Sequence, residues 1–153
     1  MPVYFADTSA LLKLYLPEPG STWLLSLDRA RFSVSSLAPL EVRSALARRQ
    51  RGGSLLPGDA DKLWKAFGED LRGWGVIELD LSLLASALSL LGSEATRVPL
   101  RTLDAIQLAS GQEAERRARQ AGAGPIVLLT ADARLEAAAA QVGLTVENPN
   151  RHA

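Results

Sequence analysis

Residues 3–9 read Val-Tyr-Phe-Ala-Asp-Thr-Ser, a short apolar run that stops at a carboxylate. Residues 3–6 are apolar at every position instead of alternating, which predicts a strand buried on both faces of a parallel sheet. Asp7 would then lie at the carboxyl end of that strand, where open parallel sheets bind their ligands. A helix N-cap is the simpler interpretation of the same residue, so Asp7 is a candidate for both roles.

The rest of the chain repeats this alternation of strand and helix. Further strands are predicted at residues 31–35, 76–79, 126–130 and 145–147. Helices are predicted at residues 10–16, from 21, from 36 or 38 to 52, from 57 to 73, at 82–91, from 102 to 122 and at 135–140, with a loop at 92–99. Such regular alternation is typical of a three-layer α/β domain with right-handed crossovers. We therefore expect one domain over residues 1–153.

Composition narrows the possible chemistry. The chain is 47% hydrophobic and 22% charged, as in ordinary soluble domains. It has no cysteine, and its only histidine is His152, in a tail that we expect to fray. Thiolate zinc sites, cysteine nucleophiles and histidine-dependent triads are therefore excluded. No basic N-terminal region precedes an apolar run, and no apolar run reaches the roughly 18 residues of a membrane span, so we expect a cytoplasmic protein without a membrane segment.

Four carboxylates share one position, the first turn of a predicted helix: they are Asp7, Glu41, Asp104 and Asp132. Capping and compensation of the helix dipole would explain any one of them. The two most apolar strands end just before Asp7 and Asp132, and they are natural neighbours across the switch point of a doubly wound sheet. Those carboxylates should therefore converge. Asp80 also lies between a strand and a helix, but a third strand laid outward from the second would be at the sheet edge, so we assign Asp80 to capping alone.

Converging carboxylates repel each other and raise one another's pKa unless a cation neutralises them. Oxygen-only ligation suits Mg²⁺ or Mn²⁺, and a chain with no cysteine and one histidine has few of the ligands that zinc prefers. The reaction class that uses acidic clusters around such ions is phosphoryl transfer.

Arginines are unevenly placed in a chain whose 17 basic and 17 acidic residues sum to zero net charge. Neutrality by itself does not indicate nucleic-acid binding. The arginines nevertheless form two clusters, Arg43, Arg48, Arg49 and Arg51, and Arg116, Arg117 and Arg119. Either cluster could contact phosphates or form a solvated helix face. Arg43 lies two residues beyond Glu41, and we expect it to pair with a carboxylate or with the scissile phosphate.

Four motifs carry a resemblance to a known family. They are Phe-Ala-Asp-Thr-Ser-Ala-Leu at residues 5–11, Ser-Ser-Leu-Ala-Pro-Leu-Glu-Val at 35–42, Leu-Asp-Ala-Ile-Gln-Leu-Ala at 103–109 and Leu-Thr-Ala-Asp at 129–132. In this order the set resembles the motifs of PIN-domain ribonucleases, and above all the small VapC toxins of VapBC toxin–antitoxin modules. The resemblance implies a five-stranded parallel sheet of order 3-2-1-4-5 flanked by helices.

The resemblance also implies roles for individual residues. Asp7, Glu41, Asp104 and Asp132 match the family's catalytic, metal-binding acids, which hold Mg²⁺ or Mn²⁺. Thr8 or Ser9, and Thr130, match hydroxyl residues that orient those acids or water. Gln107 stands where many relatives have histidine. The implied activity is endonucleolytic hydrolysis of RNA.

Partners follow from the resemblance as well. It implies a homodimer and a VapB-like antitoxin, whose amphipathic segment would lie in a groove with the first few helices as walls. The excess of leucine and the tryptophans Trp23, Trp64 and Trp74 independently predict that part of the surface is an interface.

Three other interpretations compete with an active nuclease. A haloacid-dehalogenase-like phosphatase needs a second aspartate where this chain has Ser9, and a receiver domain needs an acidic pair and a late lysine that are both missing. The third alternative is a catalytically inactive PIN-like module that binds protein or RNA, with its acids reduced to helix caps.

Overall fold

The computed structural model describes residues 1–92 and 97–152. The strands are β1 (Val3–Ala6), β2 (Phe32–Ser35), β3 (Gly75–Ile77), β4 (Ile126–Leu129) and β5 (Thr145–Glu147). The α-helices are α1 (Thr8–Leu11), α2 (Ser21–Leu25), α3 (Ala38–Arg51), α4 (Pro57–Leu71), α5 (Leu81–Gly92), α6 (Thr102–Gln120) and α7 (Ala133–Gln141). Short 3-10 helices cover Leu12–Leu14, Arg29–Arg31 and Pro149–His152. Part of the predicted loop at 92–99, residues 93–96, lies outside the described residues.

The five strands form one parallel sheet in the order β3-β2-β1-β4-β5, which confirms the predicted fold class. The central pair is β1 and β4, with Val3 beside Ile126 and Ala6 beside Leu129. Because Asp7 and Asp132 follow these neighbouring strands, the sheet brings both to its carboxyl edge. β3 pairs only with β2 and forms the edge of the sheet, as expected for the strand that precedes Asp80.

Apolar side chains cover both faces of the sheet, which is why β1 is apolar at every position. Successive residues of a strand point to opposite faces. Phe5 therefore packs with the α5, α6 and α7 side of the core, whereas Tyr4 and Ala6 pack with the side formed by α1, α3 and α4. The second side also contains the tryptophans: Trp74 is buried, and Trp23 and Trp64 pack against the cluster. Most of their surface is thus used in the core.

The beginning of the chain differs from the prediction of one helix over residues 10–16. α1 is a single α-turn that continues into a 3-10 turn, and it starts at Thr8 because Asp7 caps it. Ser21 does not cap α2. Its hydroxyl instead donates to the carbonyl of Leu16, and Gly20 takes the cap position with φ of 86°. A side chain at Gly20 would meet the carbonyl of Pro149, so this position requires glycine.

The C-terminal residues are held in place, so the expectation of a frayed tail is wrong. The ring of His152 stacks on Trp23 with 3.9 Å between centroids. Its Nε2 also lies 2.9 Å from a carboxylate oxygen of Glu147. These contacts join the last 3-10 turn to α2 and β5. In the part of the chain that the structure describes, no helix is both long and apolar enough to cross a membrane.

Candidate active site

All four predicted acids line one cleft at the carboxyl edge of the sheet. The cleft has a volume of about 460 Å³ and lies where β1 and β4 end and where α3, α6 and α7 begin. Its walls are formed by Asp7, Thr8, Ser9, Glu41, Arg101, Thr102, Leu103, Asp104, Gln107, Asp132 and Leu135. The acids come from four separate chain segments, so the cleft is a product of the strand order and the helix packing together.

Asp7 is the most constrained of the four acids. Its side chain is 6% exposed and accepts three hydrogen bonds, all from donors fixed by the fold. Oδ1 accepts from the hydroxyl of Ser9 at 2.7 Å and from the amide of Ala10 at 3.1 Å, and Oδ2 accepts from the hydroxyl of Thr130 at 2.9 Å. The residue therefore caps α1 and is also tied to the end of β4.

Burial makes ionised Asp7 costly. The pKa of Asp7 is raised from 3.8 to about 6, chiefly by burial and in small part by the charge of Glu41, while the hydrogen bonds from Ser9, Ala10 and Thr130 limit the rise. A group with this pKa is ionised at neutral pH but at an energetic cost. A cation bound nearby would remove that cost.

Glu41 reaches the cleft from the first turn of α3. Its Oε1 accepts a hydrogen bond from the hydroxyl of Thr8 at 3.1 Å and one from the side-chain amide of Gln107 at 2.7 Å. Burial raises the pKa of Glu41, and the two hydrogen bonds counteract the rise. α1, α3 and α6 are therefore joined at this one carboxylate oxygen.

Asp104 and Asp132 each use one oxygen to hold a helix start. Oδ2 of Asp104 accepts from the amide of Arg101 at 2.9 Å, and Arg101 is the N-cap residue of α6. Oδ1 of Asp132 accepts from the amides of Arg134 at 2.8 Å and Leu135 at 3.4 Å. Among the described residues, nothing donates to the second oxygen of Asp104, Asp132 or Glu41, which leaves one acceptor per carboxylate for a ligand.

The predicted hydroxyl residues lie around Asp7. Ser9 Oγ donates to Asp7, accepts from the amide of Ala131 at 2.9 Å, and lies 3.3 Å from Thr130 Oγ1. Thr130 Oγ1 also accepts from the amide of Asp132 at 3.1 Å. Ser9 and Thr130 thus connect the start of α1 to the turn that carries Asp132. Thr8 connects α1 to Glu41 of α3 through its hydroxyl hydrogen bond.

The chemistry of this donor set fits a hard divalent cation, because every ligand candidate is an oxygen. The acids do not form the tight cluster that was predicted, however. Within residues 1–92 and 97–152, no three Asp, Glu or His side chains come together in a group that could hold an ion. Asp7, Asp104 and Asp132 are instead each hydrogen-bonded to an amide at the start of a different helix. A site of this kind suits Mg²⁺, which usually keeps several waters and takes one or two carboxylates.

Arg43 pairs with a carboxylate, as expected, but it does not line the cleft and its partner is not one of the four acids. The carboxylate that it meets is Asp61 of α4, at 3.9 Å, and its guanidinium carbon lies 5.4 Å from the ring centroid of Trp64. Residues two apart on a helix are rotated by about 200°, so Arg43 and Glu41 point in different directions.

An apolar groove adjoins the cleft along α1 and α3. It has a volume of about 470 Å³, shares Thr8, Ser9 and Glu41 with the cleft, and has Arg48 at its border. Its apolar lining is formed by Leu12, Leu37, Leu40, Ala45 and Leu103. Arg49, by contrast, is paired with Glu18. Of the arginines in this cluster, Arg48 is thus the one that borders the groove.

Sequence reasoning overlooked Arg101 and left Gln107 without a role. Arg101 lines the cleft next to Asp104, and Gln107 touches Glu41 directly. Gln107 lies three residues after Asp104 on α6, a spacing that places two side chains on the same helix face. That spacing was the signal that could have found it.

Comparisons with known proteins are consistent with this architecture. Residues 4–141 match the sequence profile of the PIN domain. No curated protein matched the chain. Among solved structures, the chain is similar to a toxin–antitoxin complex from Klebsiella pneumoniae, at 17% identity and a TM-score of 0.63 over 96% of this chain and 97% of that chain. It is also similar to DNA-bound VapBC from Salmonella typhimurium, at 14% identity and a TM-score of 0.63 over 97% of this chain and 99% of that chain. A third similar structure is FitAcB from Neisseria gonorrhoeae, at 17% identity and a TM-score of 0.63 over 96% of this chain and 98% of that chain.

Proposed function

The chain belongs to the PIN domain family, and we propose that it is a divalent-metal-dependent endoribonuclease, the VapC-like toxin of a cytoplasmic VapBC-type toxin–antitoxin pair. The observation that carries the proposal is the meeting of Asp7, Glu41, Asp104 and Asp132 in one cleft. One domain over residues 1–153 would carry the whole activity. The similar structures include toxin–antitoxin complexes, which supports the assignment to this branch of the family.

The acids would hold Mg²⁺ or Mn²⁺, with Asp7 as the fixed ligand and Glu41, Asp104 and Asp132 offering their free oxygens. When bound, such an ion supplies an activated water and stabilises the leaving oxygen of a phosphodiester. Ser9, Thr130 and the amide of Ala10 hold the carboxylate of Asp7 in place, so that it needs no reordering when a ligand arrives. Thr8 and Gln107 do the same for Glu41.

The test is cleavage of a fluorescently labelled single-stranded RNA by purified protein. We expect cleavage with Mg²⁺ or Mn²⁺, none with EDTA, and a large loss in Asp132→Asn. Asp132→Asn keeps a side-chain oxygen for the amides of Arg134 and Leu135, so the start of α7 should be preserved. Cleavage that persists in EDTA, or DNA cleavage without RNA cleavage, would overturn the proposal.

The apolar groove beside the cleft supports the proposed antitoxin partner. Its walls are α1 and α3, among the first helices of the chain, and its leucines would receive the apolar side of an amphipathic segment. Leu40 is exposed at the groove, so Leu40→Glu should weaken antitoxin binding without unfolding the protein. A complex of undiminished affinity would place the antitoxin elsewhere.

A surface on α5 supports the proposed homodimer. Leu81, Leu84, Leu88 and Leu91 are all exposed and recur at steps of three and four residues, which aligns them along one side of the helix. α5 has no charged residue, so two copies could meet there without burying a charge. Light scattering should give a dimer for the wild type and a monomer for Leu84→Glu/Leu88→Glu. A strict monomer of the wild type at micromolar concentration would contradict the dimer.

A second candidate function, an inactive binding module, is favoured by one observation: Asp7, Asp104 and Asp132 each accept hydrogen bonds from amides at a helix start. These contacts would suffice to explain why the acids are there. RNA binding without cleavage under any divalent ion would favour this alternative.

A further inference from the structure

Gln107 is a buried amide in the lining of the cleft, and only one of its two polar side-chain atoms is hydrogen-bonded. It is 4% exposed, in the most deeply buried stretch of α6, and its Nε2 donates to Oε1 of Glu41 at 2.7 Å. Its own Oε1 is buried and has no hydrogen-bond partner among the described residues. A buried acceptor without a donor is costly, so it requires an explanation.

The orientation of the amide is set by Glu41. A carboxylate can only accept hydrogen bonds, so turning the Gln107 amide around would place two oxygens against each other. Thr8 donates to the same oxygen of Glu41 and helps to hold this carboxylate in place. The unpartnered atom in the cleft is therefore an acceptor, fixed there by the contact with Glu41.

The neighbouring side chains do not supply a donor. Ser9 donates to Asp7, Thr130 also donates to Asp7, and Thr8 donates to Glu41. Arg101 and Thr102 also line the cleft, but neither donates to Gln107 Oε1, and the other polar groups of the lining are carboxylates, which are acceptors themselves. The missing donor can be supplied by a ligand that binds in the cleft. A hydrated divalent cation brings several, because Mg²⁺ and Mn²⁺ held by few carboxylates keep waters whose hydrogens point outward.

We propose that Gln107 is a positioning residue that fixes Glu41 with its Nε2 and accepts, with its Oε1, a hydrogen bond from a water of the bound divalent cation. This inference rests on the proposed function and deepens it, since it names a residue that tunes the cation site without being a ligand. It also states which chemistry the position requires, namely one donor and one acceptor on a single buried side chain.

Three variants separate this role from simple packing. Gln107→Met keeps the volume and removes both donor and acceptor. Gln107→His keeps one ring N–H and one acceptor nitrogen, and should restore what methionine loses. Gln112→Met is the matched control, because Gln112 is on the same helix but lines a different cavity, the one beside Asp80.

The measurement is Mn²⁺ affinity by electron paramagnetic resonance, with no RNA present. We expect Gln107→Met to bind Mn²⁺ about 10- to 100-fold more weakly than the wild type, the usual effect of removing a group that supports a metal site. Gln107→His should bind within about threefold of the wild type, and Gln112→Met should be unchanged. Should the methionine variant fail to fold, Gln107→Asn, which withdraws the same amide by one methylene, should show a loss in the same direction.

Wild-type Mn²⁺ affinity in folded Gln107→Met, or in Gln107→Asn if that variant is needed, would overturn the inference and leave the proposed nuclease standing. Failure of Gln107→His to restore affinity would also overturn it, since packing alone would then explain the loss. A wild-type protein that binds no Mn²⁺ would overturn the proposed function itself. The donor to Gln107 Oε1 could also be a hydroxyl of bound RNA. Because the measurement contains no RNA, a loss of Mn²⁺ affinity in Gln107→Met cannot come from a lost contact with RNA.

Discussion

Asp7 and Asp80 have the same local role but lie in very different surroundings. Each follows a strand, and each accepts a hydrogen bond from an amide in the first turn of the next helix, Ala10 for Asp7 and Leu83 for Asp80. Asp7 is buried and carries two further hydrogen bonds, from Ser9 and Thr130. Asp80 is exposed at the end of β3.

The difference comes from strand order. β1 is the central strand, so the residue after it is enclosed by segments that follow β4 and by α3 and α6. β3 is an edge strand, so the residue after it has solvent on one side. Two aspartates that each follow a strand and cap a helix therefore differ in burial and in neighbouring charge. Asp7 shares its cleft with Glu41, Asp104 and Asp132, whereas the cavity at Asp80 also contains the basic side chains of Arg116 and Arg117. We expect four measurements to show this difference.

The largest expected effect concerns cleavage of RNA. Asp7→Asn should lower the metal-dependent rate by at least about 100-fold, because it removes the charge of the best-fixed ligand. Asp80→Asn should stay within about twofold of the wild type. The comparison is made with both variants at the same Mn²⁺ concentration, and a large loss in Asp80→Asn would mean that the edge of the sheet is part of the site.

The second effect has a sign that distinguishes the two residues. Without metal at pH 7.5, Asp7→Asn should raise the free energy of unfolding by roughly 1–3 kcal/mol, because it removes a buried charge whose pKa has been raised to about 6. Asp80→Asn should change it little, since asparagine caps helices about as well as aspartate. Denaturant unfolding in EDTA measures both. Destabilisation by Asp7→Asn would show that the charge of Asp7 is stabilised by its surroundings and is not held at a cost.

The third effect is the pH dependence of that stability difference. The pKa of Asp7 is higher in the folded protein, about 6, than its ordinary value of 3.8, so the folded state binds the proton more tightly. Protonated Asp7 therefore contributes to the free energy of unfolding. This contribution is fully present below pH 3.8 and is lost as the pH rises through about 6. The advantage of Asp7→Asn over the wild type should therefore shrink by about 1.4 kcal/mol between pH 7 and pH 5. An advantage that stays constant over this range would contradict the raised pKa.

The smallest effect concerns arginines near the two aspartates. Arg48 borders the groove beside the cleft, whereas Arg116 lines the cavity that contains Asp80 and is bound to Glu113 through two nitrogens at 2.6 and 2.7 Å. In an Asp7→Asn background that does not cut, Arg48→Ala should flatten the plot of log affinity for RNA against log salt by roughly 0.7. Arg116→Ala should leave the slope unchanged. Equal slopes for both variants would show that Arg48 does not contact the RNA.

Much of this architecture could be predicted from local sequence patterns. The apolar runs at β1 and β4 indicated buried strands, and buried parallel strands that are neighbours must end at the same edge, which placed Asp7 and Asp132 near each other. The assignment of Asp80 to the edge followed from laying the third strand outward from the second. The bounds of β5 were predicted without error, because Thr145, Val146 and Glu147 are flanked by glycine and proline signals.

The side-chain network of the cleft could not be predicted in the same way. Glu41 and Gln107 are 66 positions apart, and their contact depends on how α3 and α6 pack across the sheet end. The spacing between carboxylates likewise depends on which amide each one caps. Arg43 pairs with a carboxylate, as expected, but that carboxylate is Asp61, and which acid it meets depends on how α3 and α4 pack.

The central claim is that a divalent cation binds between the acids at the end of β1 and not at the acid that follows β3. Anomalous diffraction at the manganese edge, from crystals grown with Mn²⁺, tests it most directly. We predict an anomalous peak inside the cleft, within ligand distance of Asp7 and at least one of Glu41, Asp104 and Asp132. A cleft without a peak at saturating Mn²⁺, or a peak at Asp80 in its place, would contradict the account.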